Sequence, residues 1–349
     1  MQNKKKLHFV KNIEDTKHEK ANCTTFEYEV ISDSNIIGNL EYGPYSFSMW
    51  EFSDKKEGEE RKLCLSITSK RFDSENLNID DAKRKGFYHG GGIAEEIISL
   101  ASLIFRRRLK LGPVTRIDNR PSLYLRENDF LDKQLITGDS NLGSLFDWLK
   151  FVEGLNAKYD LSFILAVRLY HKSLLLIDEE PDLAYLNLIS AIEVLCQDTD
   201  IGEVTLYDVD KRLASLVYAL EDNVKNEIER SILKREKFIK RRFVKFILDY
   251  IEDSFWSEVE RPALGKINPS DLQEYLERIY DQRSRTLHSG EPFPPFIFRA
   301  PMHGAEIEFA FSLIIGEKKW EQKDYIPYPH FFERLVNHVI KNFLKRNQD

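Results

Sequence analysis

Near residue 141 the hydrophobic period of the chain changes, and that change limits the fold more than any other feature. Ahead of it, Thr25-Phe26-Glu27-Tyr28-Glu29-Val30-Ile31, Tyr45-Ser46-Phe47-Ser48-Met49-Trp50 and Leu63-Cys64-Leu65-Ser66-Ile67 alternate apolar and polar residues with period two, the pattern of half-buried strands. Gly38-Asn39 and Gly43-Pro44 supply turns between them, and Asp54-Lys55-Lys56-Glu57-Gly58 a polar tip. One helix is predicted from Ile93 to about Leu109, opened by Gly90-Gly91-Gly92 and closed by Gly112-Pro113. Past Gly138-Asp139-Ser140-Asn141 the spacing is helical, with helices predicted over 144–153, 158–178, 182–197, 205–220, 223–250, 271–288, 303–320 and 329–346. Pro181 suits the start of one, and Asn268-Pro269-Ser270-Asp271 caps another. The expected fold class is α+β: a β-rich N-terminal domain over 1–140, then an all-α bundle domain over 141–349. A length of 349 residues agrees with two domains.

Several function classes are disfavoured. No stretch approaches the ~18 apolar residues of a membrane span, and Met1-Gln2-Asn3-Lys4-Lys5-Lys6 leads into no apolar signal region. The expected setting is cytoplasmic, away from membranes. Cys23, Cys64 and Cys196 are too few and too scattered for a disulfide framework or a CxxC pair, and are read as small buried residues. A net charge of −7 excludes a globally basic nucleic-acid binder. The eight histidines contain no HxxxH or HExxH, so His171, His303, His330 and His338 are read as surface or packing residues, and no metal or cofactor is expected. His89-Gly90-Gly91-Gly92 lacks a nucleotide-loop spacing and reads as a tight turn into a helix. No GxSxG elbow is present.

Residues 182–197 are apolar nearly all round, so this helix must be buried on several sides. Its polar residues Asn187, Ser190, Glu193 and Gln197 recur at three, three and four and make one narrow stripe. Burying Glu193 alone would cost several kcal/mol, so a cation or a wet cleft should face it. Downstream, Tyr280-Asp281-Gln282-Arg283-Ser284-Arg285-Thr286-Leu287-His288-Ser289-Gly290 closes an amphipathic helix with an Arg, four residues and a His.

With Leu183-Ala184-Tyr185-Leu186 and Ser190-Ala191-Ile192-Glu193-Val194-Leu195 upstream, this segment resembles the HEPN superfamily, and within it the Apea-like HEPN proteins, over roughly residues 158–295. The resemblance implies a metal-independent endoribonuclease that acts as a homodimer with facing motifs, in phage defence or stress response. Carried over by position, Arg283 and His288 are the catalytic pair and Ser284 the polar residue after the Arg. Arg285, Glu193 and Asn187 are supporting candidates. The N-terminal domain would then sense a trigger or restrain the nuclease. The toxin subgroup continues His-x-Tyr; Gly290 stands there instead, which argues against its modifying antitoxin as a partner.

The chemistry is suited independently of the resemblance. Histidine moves protons near neutral pH, and an always-charged guanidinium grips phosphate through paired N–H groups. His288 is assigned as general acid, or as an acid/base shared with its symmetry mate. Five residues on one helix separate two side chains by about 140° and ~7.5 Å. Either the helix ends or bends at Leu287, or two chains contribute. The plain alternative is an Arg–Glu core salt bridge and a helix-capping His in a non-catalytic dimerisation module that binds a partner protein or RNA. A DNA-binding regulator is poorer, because no helix-turn-helix signal stands out. For RNA contacts, residues 225–245 carry nine Lys or Arg against three Glu. Lys237, Lys240, Arg241 and Arg242, with Phe238 and Phe243 interleaved, could track a phosphate backbone or form a solvated helix face. Arg106-Arg107-Arg108 with Lys110 is a second basic patch, suited to a helix C-terminus.

Overall fold

An antiparallel sheet occupies the N-terminal part and helices follow in the computed structural model, which describes residues 7–18, 22–49, 62–70, 92–121, 136, 138–235, 238–310, 312–315 and 318–349. Two compact units result: Met1–Ala191 together with Pro329–Asp349, and Ile192–Tyr328. The change of period near 141 separates strands from helices; the units part further on, within a helix.

In the first unit, α1 (His8–His18) precedes β1 (Cys23–Ser32), β2 (Ile36–Ile37), β3 (Leu40–Tyr42), β4 (Tyr45–Met49) and β5 (Lys62–Lys70). Then come α2 (Ile93–Phe105), β6 (Leu109–Ile117), β7 (Arg120–Pro121) and β8 (Ser140–Asn141). Six strands make one antiparallel sheet in the order β3-β4-β5-β1-β6-β7, and β2 pairs in parallel with β8. Burial in β4 and β5 follows the alternation, with Tyr45, Phe47, Leu63, Leu65 and Ile67 inside. β1 lies in the middle of the sheet, and its end Glu29–Ser32 is buried on both faces. α1 was not foreseen; it buries Phe9 and Ile13, and the Tyr45 hydroxyl donates to the Phe9 carbonyl at 2.7 Å.

The helix expected to run to Leu109 stops at Phe105. Arg106 adopts a left-handed conformation (φ 54°), and the chain turns into β6. Gly112-Pro113 therefore lies inside a strand, where a side chain on Gly112 would meet the Glu29 carbonyl at 3.0 Å. The arginines here form no exposed patch. Arg106 bonds to Glu333, Arg107 donates to the Gly138 carbonyl, and Arg108 pairs with Asp33 and Asp178, both at 3.2 Å.

The first unit is completed by α3 (Gly143–Glu153), α4 (Asp160–Leu176), the start of α5 (Pro181–Leu195) and the C-terminal helix Pro329–Arg346. α2 is buried along nearly its whole length and packs on α1, α4 and β6.

The second unit holds α6 (Lys211–Val217), α7 (Asp222–Arg235), α8 (Ile239–Tyr250), α9 (Ser254–Ser257), α10 (Leu272–Ser289) and a hairpin of β9 (Ser312–Ile315) and β10 (Lys318–Glu321). The C-terminal helix Pro329–Arg346 is α11. Three helix expectations are corrected. The 205–220 segment is a 3-10 turn (Leu206–Asp208) followed by α6, which the Asp210 side chain caps. The 223–250 segment is two helices, with Phe238 left-handed (φ 48°) at the start of α8. Among the described residues of the 303–320 segment only the 3-10 turn Met302–Gly304 is helical, because the Glu306 and Ile307 N–H groups donate to the Gly265 carbonyl at 2.8 and 3.0 Å and the chain then enters the hairpin.

All three cysteines are free, yet only Cys196 is buried; Cys23 and Cys64 are half-buried on strands, which corrects the expectation for those two. Among the described residues no helix is long and apolar enough to cross a membrane.

Candidate functional site

α10 carries the Arg/His motif. It buries Leu272, Leu276, Ile279, Tyr280 and Gln282 on one side. It ends at Gly290, whose φ of 67° is left-handed and whose N–H bonds back to the Thr286 carbonyl at 3.1 Å. A helix stop of this kind favours glycine, which gives a backbone reason for Gly290.

Glu193, near the end of α5, faces this helix, and the cation opposite it is Arg283. Arg283 Nη2 donates to Glu193 Oε2 at 3.0 Å, and the Tyr280 hydroxyl donates to Glu193 Oε1 at 2.8 Å. The guanidinium also lies 5.6 Å from the Tyr280 ring centroid, within cation–π reach. Burial, then the hydrogen bond to Glu193 and its charge, raise the Tyr280 hydroxyl well above its ordinary pKa, so it stays a donor. Both carboxylate oxygens of Glu193 are thus used. Arg283 is 22% exposed and spends one donor on Glu193; its other N–H groups have no protein acceptor among the described residues.

His288 lies one turn further, on the last turn of α10, exposed and without a hydrogen-bond partner among the described residues. The helix runs unbroken through Ser289. A bend or end at Leu287 is therefore removed, and on one chain Arg283 and His288 diverge by about 140°. Leu287, beside His288, is 53% exposed. Ser284 is half-buried with no partner among the described residues. Arg285 is engaged elsewhere: Nη2 donates to Gln282 Oε1 at 2.7 Å, and Nε pairs with Glu291 at 3.3 Å. Asn187 is half-buried on α5, in the part of that helix that belongs to the first unit.

Sequence reasoning overlooked Tyr280 and Gln282. Tyr280 precedes Arg283 by three positions, the spacing at which helix neighbours meet, which was an available signal. Gln282 is fully buried, and its amide donates to Thr286 Oγ1 at 3.2 Å and to the Pro292 carbonyl at 3.0 Å, fastening the end of α10. Nothing local marks a buried glutamine of this kind.

The basic candidates are spread over α8 rather than one long helix. Lys240 pairs with Asp281 at 2.7 Å and Arg241 with Asp208 at 2.6 Å. Hydrogen bonds from Arg241 and Thr205 draw the Asp208 carboxyl down to about 2. Arg242 donates to the Gln197 carbonyl. Lys237 lies outside the described residues, as does His89-Gly90-Gly91. Phe243 is fully buried, so it does not stack on nucleic acid; Phe238 is half-buried.

No family model, curated protein or solved structure matches this chain.

Proposed function

We propose that this chain is a metal-independent endoribonuclease of the HEPN type, working as a homodimer in which Arg283 of one copy and His288 of the other act on one phosphodiester. The observation that carries this reading is the straight α10: it points the two groups apart on one chain while leaving both with unused hydrogen-bonding capacity. The Glu193–Arg283–Tyr280 arrangement supports it. Glu193 holds the guanidinium by one nitrogen, and the remaining N–H groups are left for the non-bridging phosphate oxygens, where transition-state charge builds up. His288 acts as general acid and gives a proton to the departing 5′-oxygen as that P–O bond breaks, while water takes the proton of the 2′-hydroxyl as its oxygen attacks phosphorus. The products are a 2′,3′-cyclic phosphate and a 5′-hydroxyl. A dimer would also cover Leu287.

Incubation of full-length protein with tRNA, rRNA and mRNA in EDTA tests the activity, with Arg283→Ala and His288→Ala each expected to lower cleavage by ~10²–10⁴-fold. Mixing the two variants tests the composite site. Random pairing makes half the dimers mixed, each with one intact Arg/His pair, so activity should return to about a quarter of wild type. No cleavage by wild type overturns the function, and no recovery on mixing overturns the two-chain site. The competing reading, a dimerisation module without turnover, draws on the Arg283–Glu193 ion pair acting only as a structural bond. It predicts RNA binding without product.

A further inference from the structure

A cavity of about 580 Å³ opens in the second unit, next to the turn that follows α5. It adjoins the catalytic candidates through Gln197, whose side chain donates to the Glu193 carbonyl at 2.6 Å and whose own carbonyl accepts from Arg242. Its size falls in the range of small-molecule sites. Ile201, Leu233 and Phe238 give it apolar wall, and Asp198, Asp200 and Arg242 give it charge.

Arg242 is incompletely satisfied. Its Nε is buried without an acceptor, and no carboxylate pairs with it among the described residues. Buried donors of charged groups are rarely left so. Asp198 has two carboxylate oxygens with no partner among the described residues, while Asp200 uses one, accepting from the Gly202 N–H at 2.9 Å. The sealed Nε does not face the cavity, but Arg242 Nη2 is accessible and has no acceptor among the described residues, so the cavity combines an unspent cationic donor, unspent anionic acceptors and an aromatic wall. A neutral flat ring with acceptors on one edge and donors on another matches all three. Guanine is that ring: O6 and N7 accept from arginine in a two-bond fork, and N1–H and N2–H donate side by side to a carboxylate. Adenine offers no such adjacent donor pair.

We propose that this cavity binds a guanine base, with Arg242 on its O6/N7 edge, Asp198 and Asp200 receiving N1–H and N2–H, and Phe238 against its face. The base belongs either to a free nucleotide or to a nucleotide splayed out of an RNA strand. The RNA source rests on the ribonuclease reading; the pocket does not.

Calorimetric titration of the full chain with GMP, IMP and AMP tests the pocket. GMP should bind at least ~10-fold more tightly than AMP, with IMP, which lacks the 2-amino group, between them. Asp198→Asn should cost ~10-fold in GMP affinity and leave AMP unchanged. Asp198 is exposed, so that variant keeps the fold, which circular dichroism checks; Arg242→Met should weaken GMP as well. A second arm uses the His288→Ala protein and fluorescent RNA hexamers that differ by one G or A. Preference for the G hexamer without GMP binding assigns the site to RNA, and GMP binding without hexamer preference assigns it to a free nucleotide. Absence of guanine preference in both arms, or an unchanged guanine preference in Asp198→Asn, overturns the pocket. Guanine selectivity in a protein that cleaves no RNA overturns only the ribonuclease reading, and cleavage without guanine selectivity overturns only the pocket.

Discussion

Removing the guanidinium of Arg106 should destabilise the first unit by about 3–5 kcal/mol, because it strands a buried carboxylate. Glu333 sits on α11 with its side chain 4% exposed and accepts from Arg106 Nε at 3.2 Å, Arg106 Nη2 at 2.5 Å and the Tyr170 hydroxyl at 2.5 Å. Burial alone would raise its pKa, but the charge and hydrogen bonds of Arg106, with the Tyr170 hydroxyl, hold it below the ordinary glutamate value. Arg106→Met keeps the aliphatic stem and a β-carbon in the same left-handed backbone, so the conformational strain cancels in the comparison. Glu333 then keeps only the Tyr170 hydroxyl as a hydrogen-bond partner and the charge of Lys341 nearby, so its ionised form is left under-satisfied and it takes up a proton or draws water inward. For a unit of this size, ~2–4 °C per kcal/mol converts the loss into a fall in Tm of ~6–20 °C. Thermal unfolding followed by circular dichroism reads the shift, and hydrogen exchange over Pro329–Arg346 localises it. The double variant Arg106→Met/Glu333→Leu should recover part of the loss, since replacing both partners removes the stranded charge. A single variant costing under ~1 kcal/mol, or a double variant worse than the sum of the singles, would refute the argument.

Acid should weaken the same unit through His171. Burial first, then the charge of Arg168, depress its imidazole to about 4, against an opposing hydrogen bond to the Leu109 carbonyl. The folded pKa lies below the ordinary ~6.5, so the unfolded chain binds the proton first and stability falls as pH drops from about 6.5 towards 4, by at most ~3 kcal/mol. Denaturant midpoints across that window should slope downwards in wild type and flatten in His171→Gln. Gly265→Ala should cost at least ~2 kcal/mol in the second unit, since φ is 67° and an added Cβ would lie 2.6 Å from the Ile307 carbonyl; an unchanged midpoint would contradict this. Gly290→Ala meets no clash but has the same φ of 67°. It should cost ~1 kcal/mol, fray the turn that carries His288 and lower RNA cleavage, as hydrogen exchange over α10 and the EDTA assay would report.

Much of this fold was written in local periodicity. Tyr45, Phe47, Leu63, Leu65 and Ile67 alternate in the sequence and in burial because their strands have one dry face. α1 was hidden because few apolar residues mark its buried face. Arg106 ended α2 early by a left-handed turn that a glycine would normally announce, so Gly112-Pro113 drew attention instead. The 303–320 segment misled for the opposite reason: its apolar residues fit a helical spacing, but its backbone donors bond to Gly265, about forty residues away. At the candidate site, the need of Glu193 for a cation was legible from the apolar helix around it. That Arg283, ninety residues on, supplies it depends on how α5 and α10 pack.

The first unit is built from both ends of the chain, with Pro329–Asp349 supplying α11 after the whole of the second unit has been made. During synthesis the strands and early helices emerge lacking Phe331, Phe332, Leu335 and Val336, which are wholly or almost wholly buried in the finished unit. Their final packing must wait for the last turns to clear the ribosome, while the intervening unit can fold during translation. A message broken before codon 329 would therefore yield a chain with an open, protease-sensitive first unit.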